Sequence, residues 1–516
     1  MSKKAAEISR RQFIRQASCA AVGTMAIRSA LRDFRLMNAA VAQSNINDYK
    51  ALVCIFMSGG NDSNNLIVPT ITSEYNNYAA IRTSVLAIPQ SSLLGVSPVN
   101  FDGHNYGFHP SCGNAATGSN GIRQLFDQGR LAVLFNTGVL AHPLTRVTYN
   151  TTPSFRPPQL FSHADQVTQW QTSIPDQPPL TGWGGRCADL LNSVQPNAPV
   201  SLSITLAGAN TFEVGGSVAQ YSVSTGGAVS INLPSSPSTT ALRQQALTNV
   251  LTAPYSNLQA QAYGGIANHA VNSGALLNAT ITPTADTTVN NVTTQFWTTP
   301  FPGSGTFQVV NPNNGAKFNS GLGPQLKMIA RLIEAGSRSV AQSGFGMKRQ
   351  IFFCNIGGFD LHTGQTDVPT GGSVLTGAHS NLFAELSQCL WAFQAAMDQI
   401  GAMSTHNDPN FANRVTAFTC SDFGRTFPSN GLGSDHGWGS HHIVMGGAVK
   451  GNKTYGNFPT LAINGPDDTS TGRWIPSTAC DQYFATLASW FGVDPSNIPT
   501  LFPNIGRFST SNLGFV

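Results

Sequence analysis

The sequence predicts an α/β fold in which helices flank a mostly parallel central sheet. Three apolar runs, Lys50–Met57, Gln350–Ile356 and Val415–Cys420, are each followed by glycine or short polar residues, as buried parallel strands are. Patterns with helical spacing lie between these runs along the chain. Such alternation of strands and helices is typical of sheets whose strands run in one direction.

The remaining predicted elements support the same fold class. In chain order they are a helix at 121–130, a strand at 131–135, a helix at 323–335, a helix at about 380–403, an apolar run at 443–449 and a helix at 481–491. The helix at 323–335 has the clearest pattern, because Leu326, Ile329 and Ile333 return to one face and Pro324 occupies the first turn. With 516 residues, the chain can form one large domain or two.

The composition changes between about 198 and 320. Ser, Thr, Asn, Gly and Ala dominate, charged residues are scarce, and short alternating runs occur, such as the one at 201–206. This pattern predicts a β-rich and loop-rich insertion or cap. A disordered segment is the alternative interpretation, although the high net charge typical of disorder is missing.

The first 42 residues resemble a twin-arginine export signal. Two adjacent arginines lie within Ser9–Arg15, a modestly apolar stretch follows at 17–27, and small residues at 40–42 offer a cleavage site. A basic helix that stays on the protein is the alternative. We therefore expect the twin-arginine translocation machinery as a partner, a periplasmic or secreted location, and a mature domain at 43–516.

The charge of the chain beyond residue 42 argues against nucleic acid as a partner. The formal net charge is +4, but residues 1–42 hold eight Lys or Arg and two acidic residues, which leaves 20 basic and 22 acidic residues in the rest of the chain. A slightly acidic mature chain without a basic patch does not predict nucleic acid binding. Beyond the signal we see no apolar segment long enough for a transmembrane helix.

Seven cysteines follow the signal, and an odd number leaves at least one without an intramolecular partner. The cysteines at 54, 354 and 420 lie in predicted strands, so we expect them to be buried as small hydrophobic residues. The other four, Cys112, Cys187, Cys389 and Cys480, could pair in an oxidising compartment, and their spacing does not select partners.

Acidic and histidine side chains are concentrated in three clusters punctuated by glycine, at Gly357–His362, Cys420–Arg425 and Ser434–His442. The first two clusters follow predicted strands, and the carboxyl ends of strands are where an α/β sheet collects its ligand-binding groups. Charged residues make up only 10% of the chain, against about 25% in an average protein. Their concentration here therefore predicts a functional site.

Carboxylate and imidazole donors together suit Zn, Mn, Mg or Fe. Asp360 and His362 are two residues apart, a spacing that can place both on one side of a strand end. The alternative is that Asp360 caps the next element and His362 is a surface histidine. Asp435 and His436 form an ordinary turn sequence by themselves, but the nearby histidine pair strengthens their candidacy as ligands.

Other candidates carry weaker signals. Asp62 follows the first strand in a turn that needs no further function. Asp422 and Arg425 follow another strand, where Arg425 could stabilise a phosphate or sulfate oxygen or pair with Asp422. His163 and Asp165 lie in an aromatic stretch that is more typical of a structural role. Isolated histidines, which we expect at the surface or in the core, are His104, His109, His142, His269, His379 and His406.

Several of these runs, in this order, resemble the DUF1501 family of exported bacterial proteins, whose function is largely unassigned. The runs are Gly59–Asp62 with Asn65, Gly323–Gly336, Gly357–His362, Ser421–Arg425, Asp435–Gly437 and Gly446–Gly451. The resemblance extends over roughly residues 50 to 465, and the region at 200–320 carries little of it.

The family is similar in turn to the alkaline phosphatase/sulfatase superfamily, which implies an α/β sheet with one or two metal ions held at strand ends. By this likeness the metal ligands are Asp62, Asp360, His362, Asp422 and either His436 or His442. Phe423 stands where the superfamily has an adjacent histidine, which puts one of two metal positions in question. The superfamily's usual nucleophile motifs do not occur in this sequence.

These observations lead to two hypotheses. The first is an exported hydrolase of phosphate or sulfate esters that uses one or two divalent ions (Zn, Mn, Mg or Fe). Its predicted metal ligands are Asp62, Asp360, His362, Asp422, Asp435 and His436, and Arg425 or His442 would stabilise the developing charge. The second is a non-catalytic exported binding or envelope-assembly protein with a degenerate metal site.

Overall fold

The computed structural model describes residues 46–113, 120–178, 180–195, 197–228, 237–281, 287–289, 292–294, 300–301 and 307–516. The predicted signal at 1–42 lies outside these residues, as do parts of the predicted insertion.

Seventeen strands are present in the described part of the chain. They are β1 (Lys50–Met57), β2 (Ile67–Pro69), β3 (Leu94–Val96), β4 (Tyr106–Phe108), β5 (Leu131–Gly138), β6 (Ser203–Thr205), β7 (Tyr221–Ser224), β8 (Gly227–Ala228), β9 (Thr287–Val289), β10 (Val292–Thr294), β11 (Gln308–Val310), β12 (Lys317–Asn319), β13 (Arg349–Ile356), β14 (Val415–Ser421), β15 (Ser440–Gly446), β16 (Lys453–Tyr455) and β17 (Thr478–Ala479).

The α-helices of the same residues are α1 (Thr72–Leu86), α2 (Ile122–Asp127), α3 (Arg146–Thr151), α4 (His163–Thr172), α5 (Trp183–Leu191), α6 (Pro237–Leu251), α7 (Leu258–Thr280), α8 (Leu322–Ser337), α9 (Ala378–Ala402), α10 (Cys480–Phe491) and α11 (Ile498–Leu501). Short 3₁₀ turns connect several of these elements.

Ten strands form the central sheet, in the order β16-β5-β15-β14-β1-β13-β6-β7-β8 with β17 beside β5. Most neighbouring pairs are parallel, whereas β15 runs against β14 and β5, and β8 runs against β7. The α/β fold class and the mostly parallel sheet are therefore confirmed.

Helices cover the sheet in two groups. In one group α9 contacts both α2 and α8, and these two helices reach β5 and β13 respectively. The other group contains α4, α5, α10 and α11. Strands β5 and β14 are buried at every position, as expected for strands covered on both faces. The predicted helices at 323–335, 380–403 and 481–491 correspond to α8, α9 and α10.

The sheet brings three strand ends to one edge. Because β1, β13 and β14 are parallel neighbours, their carboxyl ends lie side by side. The antiparallel β15 begins at that same edge. It starts at Ser440, three residues before the predicted apolar run, so His441 and His442 are buried strand residues rather than loop residues.

The region at 198–320 contains more helix than the sequence analysis predicted. Its short strands are present, and β6, β7 and β8 extend the main sheet instead of forming a separate unit. However, its longest described elements are the helices α6 and α7. Their apolar residues are spread around the helices without a continuous stripe, which explains why periodicity did not reveal them.

All seven cysteines from Cys54 to Cys480 are buried and unpaired. The expected burial of Cys54, Cys354 and Cys420 is thus confirmed, and the four that could have formed disulfides do not pair in the described structure. No helix among the described residues is both long and apolar enough to cross a bilayer.

Candidate metal centre

The candidate centre lies at the edge where β1, β13 and β14 end. Asp360 and His362 occupy the loop after β13, and His436 lies in the loop between β14 and β15. His163 is the first residue of α4 and reaches the same place from a distant part of the chain. Gly59 has a φ of +114°, and a Cβ there would lie 2.3 Å from the Asp360 amide nitrogen, so the approach of the β1 loop requires glycine.

Three side chains converge closely enough to hold a metal ion: His163, Asp360 and His436. The Nε2 atoms of His163 and His436 are 3.1 Å apart. The Asp360 carboxylate lies 3.6 Å from Nε2 of His163 and 3.5 Å from Nε2 of His436. His362 borders this group, because its Nε2 is 2.9 Å from Nε2 of His436 and 3.2 Å from Asp360.

Two of the histidines are oriented by carboxylates behind them. His163 Nδ1 lies 2.6 Å from Asp422 Oδ2, and the other Asp422 oxygen accepts a hydrogen bond from the Gly59 amide at 3.0 Å. His362 Nδ1 lies 2.9 Å from Asp435 Oδ1. A carboxylate accepts hydrogen bonds, so in each pair the imidazole Nδ1–H is the donor. Carboxylates in this position orient metal-binding histidines in many proteins.

The third histidine is oriented by the backbone. His436 Nδ1 is 2.8 Å from the carbonyl oxygen of Phe161. A carbonyl oxygen can only accept, so Nδ1 carries the proton and Nε2 of neutral His436 carries a lone pair. Since His163 and His362 also donate from Nδ1, three Nε2 lone pairs would face one another when the rings are neutral. A cation bound there would remove the repulsion among them.

The distances fit a divalent ion. Tetrahedral coordination with bonds of about 2.0–2.1 Å places neighbouring donor atoms about 3.3–3.4 Å apart. The Nε2 atoms of His163 and His436 are 3.1 Å apart, Asp360 Oδ1 lies 3.5 Å from that of His436, and Asp360 Oδ2 lies 3.6 Å from that of His163. The side chains are open to solvent on one side, with exposed fractions of 35% for His163, 48% for Asp360 and 24% for His436. Catalytic zinc sites share this arrangement of three protein ligands and one open position.

The pKa shifts of Asp360 and His436 favour the protonation states in which these side chains can bind a metal ion. Burial alone would raise the pKa of Asp360, but the hydrogen bond and positive charge of Arg425 lower it below its usual value. Burial is the main cause that lowers the pKa of His436, and Arg425 and the neighbouring His163 act in the same direction. An ionised carboxylate and a neutral imidazole are the protonation states that bind metal.

Arg425 is engaged with the protein on several sides. Its Nη1 donates to Asp360 Oδ1 at 2.9 Å and to the Gly59 carbonyl at 3.2 Å, and its Nη2 donates to the Ser434 carbonyl at 2.5 Å. The side chain is 1% exposed. Its position therefore serves to fix the Asp360 carboxylate.

Two of the sequence candidates lie apart from the converging atoms. Asp62 is buried in an ion pair with Arg82 and also accepts a hydrogen bond from Gln365. Burial raises its pKa, but the charge of Arg82, the neighbouring His379 and the hydrogen bonds from Arg82 and Gln365 together lower the pKa below its usual value. His442 is fully buried, and its ring contacts Trp170 with 4.8 Å between centroids. Burial lowers the pKa of His442 to about 3, so a neutral ring does not supply the charge stabilisation expected of it.

The structure thus groups the candidates by role. Asp360, His362 and His436 meet at the centre, whereas Asp422 and Asp435 contact the outer nitrogens of histidines. His163, whose sequence setting favoured a structural role, belongs to the converging group. The sequence showed only its position near Asp165 in an aromatic stretch, which does not indicate the sheet edge that this part of the chain approaches.

Comparison with curated protein sequences gives no match. The sequence model of one family matches residues 313–483, a span that contains Asp360, His362, Asp422 and His436 but not His163. This match supports the resemblance to the family described as "Protein of unknown function (DUF1501)" for that part of the chain.

Proposed function

We propose that this protein is a metal-dependent hydrolase whose centre holds one divalent ion. The observation that carries the proposal is the convergence of His163, Asp360 and His436 at separations suited to a metal ion. The ligands are these three side chains, which leave one position open, and His362 borders the group. An ion bound there would polarise a substrate oxygen and lower the pKa of water.

The surrounding residues prepare the donors for this role. Asp422, Asp435 and the Phe161 carbonyl each hold the Nδ1 proton of one histidine, which leaves Nε2 free to bind. Arg425 keeps Asp360 ionised and in place. We therefore assign Asp422, Asp435 and Arg425 as positioning residues instead of ligands or substrate contacts.

The substrate class is part of the proposal. Phosphate or sulfate esters are the substrates that the resemblance to the alkaline phosphatase/sulfatase superfamily implies. The proposed setting is the periplasm or the cell exterior, reached through the twin-arginine translocation machinery, which exports proteins already folded. A metal loaded before export suits that route.

The first test is the metal content of the mature protein, with an Asp360→Asn variant beside it. Stoichiometric zinc, manganese, iron or magnesium is expected in the wild type and should be lost in the variant. His104→Ala is the matched control, since the half-buried His104 also bonds a carboxylate, that of Glu74 at 2.6 Å, but contributes no atom to the converging group. A folded wild type without metal would refute the proposal.

The second test is hydrolysis of chromogenic phosphate and sulfate esters by the metal-loaded protein. We expect activity that disappears in Asp360→Asn and persists in His104→Ala. The alternative function, a non-catalytic binding or envelope-assembly protein, draws on Phe423, whose ring packs on His163 and His436 with centroids 4.7 and 4.6 Å away. Bound metal without hydrolysis of any ester would favour that alternative.

A further inference from the structure

We propose that Arg473 is a positioning residue that holds the segment Pro157–His163, here called the strap, against the metal centre. The inference rests on the proposed metal centre and adds a residue that touches none of its donor atoms. Its basis is a set of contacts in which one guanidinium joins two residues that come from different parts of the chain.

Arg473 contacts both sides of the junction between the strap and the sheet edge. Its Nε donates to the carbonyl oxygen of His436 at 2.7 Å. Its guanidinium lies over the ring of Phe161, with 4.3 Å from the central carbon to the ring centroid. Phe161 is itself bonded to His436, because its carbonyl accepts from His436 Nδ1 at 2.8 Å. Arg473 therefore holds together the two residues of that hydrogen bond.

The strap needs such an anchor because its backbone is unfavourable. Gln159 has a φ of 54° and Phe161 a φ of 72°, both in the left-handed region that non-glycine residues rarely adopt. Such conformations persist only where surrounding contacts enforce them. Pro158 and Gln159 are exposed, and the half-buried Leu160 and Phe161 pack at the margin of a small apolar cluster that includes Trp438 and Ile475, so the contacts of Arg473 add to a limited set.

Arg473 is in turn held by a fixed loop. The buried carboxylate of Asp468 accepts hydrogen bonds from the backbone amides of Ser470, Gly472 and Arg473 at 2.8–3.0 Å. The Arg473 carbonyl also accepts from the Thr469 amide at 3.1 Å. These hydrogen bonds fix the backbone of Arg473, so its guanidinium can hold the strap in one orientation.

The consequence concerns His163, the last residue of the strap. His163 is also the first residue of α4, so its ring enters the centre where the strap passes into that helix, whereas Asp360 and His436 are carried by loops of the sheet edge. Loss of the Arg473 contacts should therefore weaken metal binding by about ten- to hundred-fold, the usual effect of removing an outer partner of a metal ligand.

The experiment compares wild type, Arg473→Ala and Arg473→Lys in two measurements. The first is chymotrypsin cleavage after Phe161 in the presence of a chelator, with fragments identified by mass spectrometry. Loss of a cation–π contact and a hydrogen bond should accelerate cleavage in Arg473→Ala by about ten-fold. The second is metal affinity, measured by competition with a chromophoric chelator. Lysine should restore much of both properties, because it keeps a cation that can reach the same groups.

The matched control is Lys50→Ala. Lys50 makes the same two kinds of contact at the opposite edge of the sheet, over the Trp490 ring at 5.1 Å and to the Trp490 carbonyl at 2.7 Å. This variant should change neither the cleavage of the strap nor the metal affinity. Thermal unfolding of each variant checks that the fold is retained.

The outcomes separate this inference from the proposed function. Unchanged cleavage in Arg473→Ala would overturn the role of Arg473, whether or not metal binds. Faster cleavage with unaltered metal affinity would overturn the link between the strap and the centre. A wild type that binds no metal refutes the proposed function, while the cleavage comparison still decides whether Arg473 holds the strap.

Discussion

Replacement of Asp422 by asparagine is the most informative perturbation of the centre. Asp422 is 3% exposed, and its two oxygens accept from His163 Nδ1 at 2.6 Å and from the Gly59 amide at 3.0 Å. Asparagine has the same shape but only one accepting oxygen. In either orientation its NH₂ group faces a donor, so one of the two hydrogen bonds is lost.

The expected loss of metal affinity depends on which of the two hydrogen bonds is lost. If the amide oxygen stays with Gly59, the NH₂ group faces His163 and favours the tautomer with its proton on Nε2, the atom that should bind metal. Loss of such a partner typically lowers metal affinity by 10- to 100-fold, which corresponds to about 1.4–2.7 kcal/mol. Because Asp422 is buried, solvent does little to screen this change.

The assay is competition between the protein and a chromophoric chelator for zinc. Asp189→Asn serves as the control, since Asp189 also accepts backbone hydrogen bonds, from Ser217 and Val218 at 2.8 and 2.7 Å, in another part of the fold. A correctly folded Asp422→Asn protein with the affinity of the wild type would refute the reasoning that Asp422 sets the tautomer of His163.

Three further predictions concern residues around the centre. Arg82→Met leaves the buried Asp62 carboxylate without its cation and should lower the free energy of unfolding by about 3–5 kcal/mol, measured by denaturant titration. The pKa of Asp62 in the folded state lies below its usual value of 3.8. The ion pair therefore stabilises the fold above pH 3.8, and this stabilisation is lost as the pH falls through the folded-state pKa. On acidification the wild type should lose more stability than Arg82→Met does. Gly59→Ala places a methyl group 2.3 Å from the Asp360 amide nitrogen and should reduce metal affinity through displacement of that loop; an affinity equal to the wild type's would contradict the proposed close approach. His442→Phe should retain metal binding and any hydrolysis, since the ring is buried away from the converging atoms, and a loss of hydrolysis in a folded variant would return His442 to a catalytic role.

The central strands were predictable because a strand that is buried on both faces is apolar at nearly every position. Lys50–Met57 is a strand with the bounds expected, and the runs that end at Ile356 and Cys420 differ from the observed strands by one residue. Because parallel strands end at the same edge of a sheet, the clusters at Gly357–His362 and Cys420–Arg425 could also be expected to lie near each other. The direction of β15 was not predictable, because an apolar run looks the same in either orientation.

The composition of the site was only partly predictable. Spacing identified Asp360 and His362, and the nearby His441 and His442 drew attention to His436, but a carboxylate that binds a metal and one that supports a histidine have the same sequence signature. Only the structure shows Asp422 behind His163. The contribution of His163 itself depends on how α4 packs against the sheet, and this long-range packing leaves no local pattern in the sequence.

The seven buried cysteines can report local unfolding through their reaction with a thiol reagent. All seven thiols lie inside the described structure, and burial raises the pKa of several, including Cys112 and Cys187, the latter to about 12. A thiol reagent reacts with the thiolate, so the native protein should be nearly inert to it. Each thiol that becomes reactive reports that the surrounding part of the fold has opened, and the pattern of labelled cysteines would show which strands separate first without any introduced probe.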